Sequence, residues 1–173
     1  MIEEALWAKI HELERRINTV NQDTHDRTIY ARYTSNTASA MVNSDYTTIN
    51  YEDKVTDTHN CVTVGAAWTF TCPASRVYTV TGGIRLASNT GWTVGDLAVM
   101  LVLKNGAELI ILDHYTMGDN AGGAATIIGC YGSIQIHCNT YDTLKLSFYQ
   151  NSGGNINLDE DATHNWCSIS AYQ

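Results

Sequence analysis

The sequence predicts an all-β protein, an antiparallel jelly-roll sandwich, preceded by a short N-terminal coiled-coil helix. Three observations predict it. From Tyr46 onward apolar and polar residues alternate with period two. Two apolar strands flank Asn105-Gly106, a pair suited to a type I′ hairpin turn. The first twenty-one residues instead carry a heptad stripe.

The helix is expected from Ile2 to about Asn21. Leu6, Ile10, Leu13, Ile17 and Val20 recur at spacings of 4, 3, 4 and 3, a narrow seam with a polar opposite face. Ile10 and Ile17 take a positions; Leu6, Leu13 and Val20 take d. Glu3 and Glu4 near the start and Arg15 and Arg16 near the end complement the helix dipole. The "KIHELE" stretch resembles a trimer-biased coiled-coil pattern, with Lys9 replacing the usual Arg. Fewer than three heptads make a marginal assembly alone, so the head is expected to oligomerise as well. Trp7, at an e position beside the seam, is a candidate for docking the base on another protein. Residues 1–21 thus read as a stem and 22–45, polar and rich in Thr and Asn, as a neck.

Residues 46–173 read as the head. "TTINYEDKV" is expected as a strand, "CVTVGAAWTFTC" as two short ones around Gly65, and "RVYTVTGGIRLA" as one with Tyr78, Val80, Ile84 and Leu86 inward. Gly82 and Gly83 suggest a kink or bulge in it. "LAVMLVLKNGAELIILDHY" is the clearest hairpin, and "ATIIGCYGSIQIHC", "DTLKLSFYQ" and "WCSISAY" complete eight to ten strands. The hairpin is apolar on both faces, so both faces need cover. One cover is the chain's own core. Ala98, Met100, Val102, Ile110 and Leu112 are assigned to the other, a neighbouring subunit.

Composition narrows the function classes. The 173 residues are 44% hydrophobic and 16% charged, as a globular domain requires. Net charge is −8 with no basic stripe, which argues against nucleic acid. The longest apolar run, Leu97 to Leu103, is too short for membrane insertion as a helix. The acidic start "MIEEALW" does not read as a secretory signal. Cys61, Cys72, Cys130, Cys138 and Cys167 form no CxxC and read as reduced core thiols. The expected site of synthesis is therefore a reducing cytoplasm.

The head resembles the C1q/tumour-necrosis-factor-like jelly roll over about residues 46–173. Phe70, Pro73 and Tyr78 match that family's "F-x-x-P-x-x-G-x-Y" motif, with Arg76 in place of the Gly. Asp142, Leu144, Leu146, Gln150, Ser152 and Gly153 match its "G-D-x-V-x-L…Q-x-S-G" strand, with Tyr141 in place of the first Gly, and "WCSISAYQ" is similar to its last strand. The resemblance implies a homotrimer with stem and C-terminus at one end. A coiled-coil stem and odd thiols look most like such heads on bacteriophage virion proteins, made in host cytoplasm and displayed on the virion surface.

Strand reversal places three Gly/Asn-rich loops at the end away from the stem: Ser88–Asp96, Thr116–Ala124 and Asn151–Asn165. These apical loops, with Trp92 as aromatic anchor and Asn120 and Asn155 as polar contacts, are the candidate receptor-binding surface. Asp159, Glu160 and Asp161 beside His164 are a weak calcium candidate, with a solvated acidic loop the favoured reading. No GxSxG, P-loop, HExxH or GxGxxG occurs, and "DHY" at Asp113–Tyr115 lacks a nucleophile motif. No catalytic residue and no cofactor are assigned. The expected function is a non-enzymatic virion surface protein: a capsid decoration or head-fibre protein docked through its stem to another virion protein. The alternatives are a tail-fibre tip that binds a host glycan or protein, and a cellular C1q-like adhesion protein.

Overall fold

The computed structural model describes residues 2–119 and 126–172, with the side chains of all but 2–5, 20–27, 108 and 109. Val20's side chain and Asn120 lie outside them.

Helix α1 spans Ile2–Arg27. It outruns the expected end because "NQDTHDR", though polar, contains no Gly or Pro to stop it. The strands are β1 Ile29–Thr34, β2 Ala40–Met41, β3 Asp45–Thr48, β4 Asp53–Asp57, β5 Val62–Thr63, β6 Thr69–Thr71, β7 Arg76–Arg85, β8 Leu97–Lys104, β9 Glu108–Thr116, β10 Gly129–Cys138, β11 Thr143–Gln150, β12 Ile156–Asn157 and β13 Trp166–Ala171. The expected neck is therefore not a separate segment. Residues 29–34 form β1, an interior strand paired with β13 on one side and β4 on the other. Its alternation is legible in Ile29, Ala31 and Tyr33, which point inward.

Two five-stranded sheets face each other in the orders β10-β7-β13-β1-β4 and β5-β6-β11-β8-β9, and β12 pairs with β2 beside them. Every pair within the sheets is antiparallel. The core between them takes Ile29, Ala31, Tyr33, Tyr78, Val80, Ile84, Cys167 and Ile169 from the first sheet. Phe70, Ala98, Met100, Val102, Leu144, Leu146 and Phe148 come from the second. Trp68 lies between the sheets, edge-on to Tyr33 and Tyr51 at centroid distances of 6.2 and 5.6 Å.

The hairpin forms as expected: Asn105 and Gly106 have φ of 53° and 74°, and Ala107 N donates to Lys104 O at 3.2 Å. The bulge expected at Gly82-Gly83 does not occur; β7 pairs with β10 without a break from Arg76↔Cys138 to Arg85↔Gly129. The glycines serve close packing instead. A Cβ at Gly82 would lie 2.7 Å from Leu146 Cδ2, and one at Gly83 2.3 Å from the Tyr131 ring.

The expected subunit-contact face of the hairpin is inverted. Ala98, Met100 and Val102 are fully buried within the chain's own core, opposite Gln150, Phe148 and Leu146 of β11. Ile110 and Leu112 are half-buried against the same core. Parity alone cannot choose between two apolar faces; the neighbouring strand's inward residues choose.

Candidate interaction surfaces

Four surfaces stand out. The first is α1. Leu6, Leu13 and Ile17 are 59%, 46% and 58% exposed and Ile10 is half-buried, so the seam is not laid on the head. Trp7 is exposed as well, 6.2 Å from the His11 ring. Only Thr28 separates α1 from β1.

The second is the outward face of the β10-β7-β13-β1 strands. Register sets its residues in rows: Tyr30, Ser170, Thr79 and Gln135; Arg32, Ser168, Thr81 and Ser133; Thr34, Trp166, Gly83 and Tyr131. The rows are mostly hydroxyls, with Thr81 and Ser133 bonded at 2.9 Å. The Arg32 guanidinium lies 5.8 Å from the Trp166 ring centroid, over its face. Trp166 and Tyr131 flank Gly83, whose lack of a side chain lets both rings lie on the sheet.

The third is the loop end. Gly95 N donates to Met117 O, Asn89 pairs with Thr126, Leu86 with Leu158, and Asn151 N donates to Leu97 O. The three long loops thus meet at one end. The chain's exit from α1 at Ile29 pairs with Ala171 towards the other. Gln150 holds this end together. Its Nε2 donates to Met41 O at 3.1 Å and Gly154 O at 2.8 Å, and its Oε1 accepts from Ser152 N and Oγ at 2.8 and 2.7 Å. That explains the Gln and Ser of the "Q-x-S-G" stretch as a buried loop brace, while Gly153, at φ 86°, makes the turn after it. Gln150→Leu leaves these main-chain groups unpaired and is expected to cost about 2–4 kcal/mol, read as an earlier thermal melt.

One site expectation fails here, and the weak calcium candidate has its carboxylates engaged. Trp92 is not an exposed anchor: it is fully buried in the core and plugs the loop end of the sandwich. Its loop folds back through Gly91 N to Asn89 Oδ1 and Thr93 N to Asp96 Oδ2, which carries the indole inward. Nor are the acidic residues free for calcium. The Asp159 carboxylate is taken by the Arg85 guanidinium. Arg85 Nη1 also lies 2.9 Å from His164 Nε2, and His164 Nδ1 lies 3.2 Å from the Asp161 carboxylate. Hydrogen bonds from the Thr163 hydroxyl and amide hold the Asp161 carboxyl below its usual range. Glu160 is exposed. No group of three or more metal-ligating side chains converges among the described residues. Asn155 is exposed, with its Oδ1 accepting from Asn43 N at 2.9 Å. Val94 and Ile127, which sequence reasoning passed over, are the exposed apolar side chains here, at 58% and 60%. Isolated apolar residues in a polar loop give no periodic signal.

The fourth is an apolar cleft of about 380 Å3 on the outward face of β8, β9 and β11. Tyr46, Leu97, Val99, Leu101, Ile111 and Tyr149 line it. Tyr46 and Tyr149 lie 5.3 Å apart. This, and not the Met100 face, is the hairpin's second apolar side; Leu101 is buried and Ile111 exposed. Among the remaining polar groups, the Asp113 carboxylate accepts from Tyr131 N at 2.9 Å and so ties β9 to β10. No helix among the described residues is long and apolar enough to cross a membrane.

No protein-family model matches this sequence, and no curated protein does. Solved structures do match. The Eiger TNF of S. frugiperda is similar with a TM-score of 0.61 at 10% identity, over 85% of this chain and 94% of that one. Murine APRIL gives 0.57 at 10% identity, over 84% and 99%. The globular domain of zebrafish complement 1qA gives 0.53 at 12% identity, over 82% and 93%. At such identities the likeness is one of fold. The two facing antiparallel sheets form a TNF/C1q-like jelly roll, and this is the fold of the chain.

Proposed function

We propose that this chain is a non-enzymatic homotrimeric protein of a bacteriophage virion surface, a capsid decoration or head-fibre protein. The observation that carries the assembly is the uncovered α1 seam. Its apolar residues need partners, and identical helices supply them in register. Because one residue joins α1 to β1, three gathered helices bring three β1 strands to a common axis. The hydroxyl-rich face with Arg32 and Trp166 then turns toward neighbouring subunits. The TNF/C1q-like fold supports the same arrangement.

The virion reading rests on less. Five buried cysteines outside any disulfide suit synthesis in a reducing cytoplasm. A particle assembled in that compartment would carry such thiols. Trp7, beside the seam, then meets another virion protein, and the loop end points away. Val94 and Ile127, exposed on that end, favour the second reading, a fibre tip that binds a host surface receptor.

Light scattering on the purified chain is expected to give three times its 19.1 kDa mass. A single-chain mass overturns the trimer. Adding the protein to capsids lacking it and, separately, to host cells distinguishes the two roles. Capsid binding without cell binding is the expected result; the reverse selects the fibre tip, and binding to neither removes both.

A further inference from the structure

The five cysteines carry chemistry that neither the fold nor the proposed assembly uses. All are buried, and none is in a disulfide. Two of them meet across the base of the sandwich. Cys72 directly follows β6 of one sheet, and Cys138 ends β10 of the other. The Cys72 amide donates to Asp142 O at 2.8 Å, and its carbonyl accepts from Tyr141 N at 2.7 Å. Cys72 is therefore clamped to the turn that follows Cys138. That turn is itself closed by Asn139 N on the Asp142 carboxylate at 2.8 Å and by Asp142 N on Asn139 O at 3.1 Å. This clamp sets Cys72 beside the strand end that carries Cys138, close enough for each thiol to act on the other.

We propose that Cys72 and Cys138 form a latent disulfide site, a covalent joint between the two sheets that closes when the chain meets a small-molecule disulfide such as oxidised glutathione. One protein thiol gives up its proton, and the thiolate attacks a sulfur of the oxidant. A mixed disulfide forms and one glutathione thiolate leaves. The second protein thiol, deprotonated in turn, attacks the protein sulfur of that mixed disulfide and displaces the other. Two protein thiols are oxidised, one glutathione disulfide is reduced to two thiols, and the two protons pass to the leaving thiolates.

Access separates two regimes. A cleft of about 260 Å3 opens beside Cys72, lined also by His59, Cys61, Pro73 and Tyr141. Burial pushes the Cys72 thiol well above its ordinary range, and the Cys138 thiol beside it adds to that shift. A thiol so disfavoured as thiolate attacks slowly. The joint therefore closes readily during folding, while the solvent still reaches both sulfurs, and slowly once the sheets have closed. This inference stands independently of the virion reading, because it depends only on the meeting of two strand ends.

The test refolds the full chain in a glutathione redox buffer, alkylates the remaining thiols and maps the peptides. Expected are three alkylated cysteines, a mass lower by two hydrogens before alkylation, and a linked pair containing Cys72 and Cys138. The melting temperature of the oxidised protein should exceed that of the reduced protein by on the order of 10 °C, reversed by dithiothreitol, because the bond closes a long loop. Cys72→Ala and Cys138→Ala should each abolish the link and the oxidant-dependent rise. Five alkylated cysteines in the refolded native protein overturn the proposal, as does a link mapped to another pair such as Cys61 and Cys72.

Discussion

Trp68→Ala is expected to lower the melting temperature by roughly 10 °C or more. Trp68 is fully buried, and it is held just before β6 by its amide on Gly65 O at 2.9 Å. Gly65, at φ 109°, makes the turn that a residue with a side chain would strain. From there the indole reaches Tyr33 of the opposite sheet and Tyr51 on the chain between β3 and β4, edge-on to both. One side chain thus joins three segments far apart in sequence. Truncating a buried Trp to Ala typically costs about 3–5 kcal/mol, and for a chain of this length each kcal/mol moves the melt by about 2–4 °C. The indole Nε1 has no hydrogen-bond partner, so the loss is one of packing and cavity alone. Trp68→Phe should therefore recover much of it. A thermal melt of Trp68→Ala that coincides with the parent removes this aromatic cluster as the tie between the sheets.

Gly132→Ala is expected to destabilise by about 3 kcal/mol, an unusual cost for one added methyl group. Gly132 lies in β10, the edge of one sheet, and Leu112 in β9, the edge of the other. There the two edges meet backbone to backbone. A Cβ on Gly132 would stand 2.4 Å from Leu112 O and 2.8 Å from its carbonyl carbon. Neither strand can step aside: β10 is laddered to β7 through ten consecutive pairs, and Tyr131 N is bonded to the Asp113 carboxylate of β9. Gly118→Ala is the matched control, since a Cβ there meets nothing within 4 Å and the backbone does not take positive φ. Chemical denaturation should separate the two clearly. Equal stability of the two variants would mean that the sheets do not close at this edge.

These two positions differ in how readable they were. Trp68 belongs to an alternating run whose inward parity is plain, so its burial follows from the pattern "AAWTFTC". Gly132 sits in "GCYGSIQIHC", where a glycine signals only a weakened strand or a close approach. What approaches is Leu112, twenty residues earlier in sequence and in the other sheet, and no local pattern names it. The same limit explains the hairpin. Period two in "LAVMLVL" separates Ala98, Met100 and Val102 from Leu97, Val99 and Leu101 correctly, yet both sets are apolar. Only pairing with Leu146 and Phe148 of β11 directs the first set inward. Trp92 failed for a related reason. A tryptophan in a Gly-rich loop looks displayed, but the sandwich end beneath it needed filling, and the Asn89 and Asp96 side chains turn the loop to fill it.

By itself the sequence determined the class of the protein: a heptad seam, alternating strands, an Asn-Gly turn and scattered cysteines without a CxxC. Each of these is a local property, written in spacings of two, three, four or seven residues, and local spacings survive without knowledge of neighbours. Tertiary structure alone decided that residues 29–34 are a strand inside a sheet, which face of β8 is core, that Asp159 belongs to Arg85, and that Cys72 meets Cys138. Each of those is a contact between segments distant in sequence. Such contacts depend on the order in which strands assemble, which hydrogen-bond registers and core volume settle together and no single segment encodes.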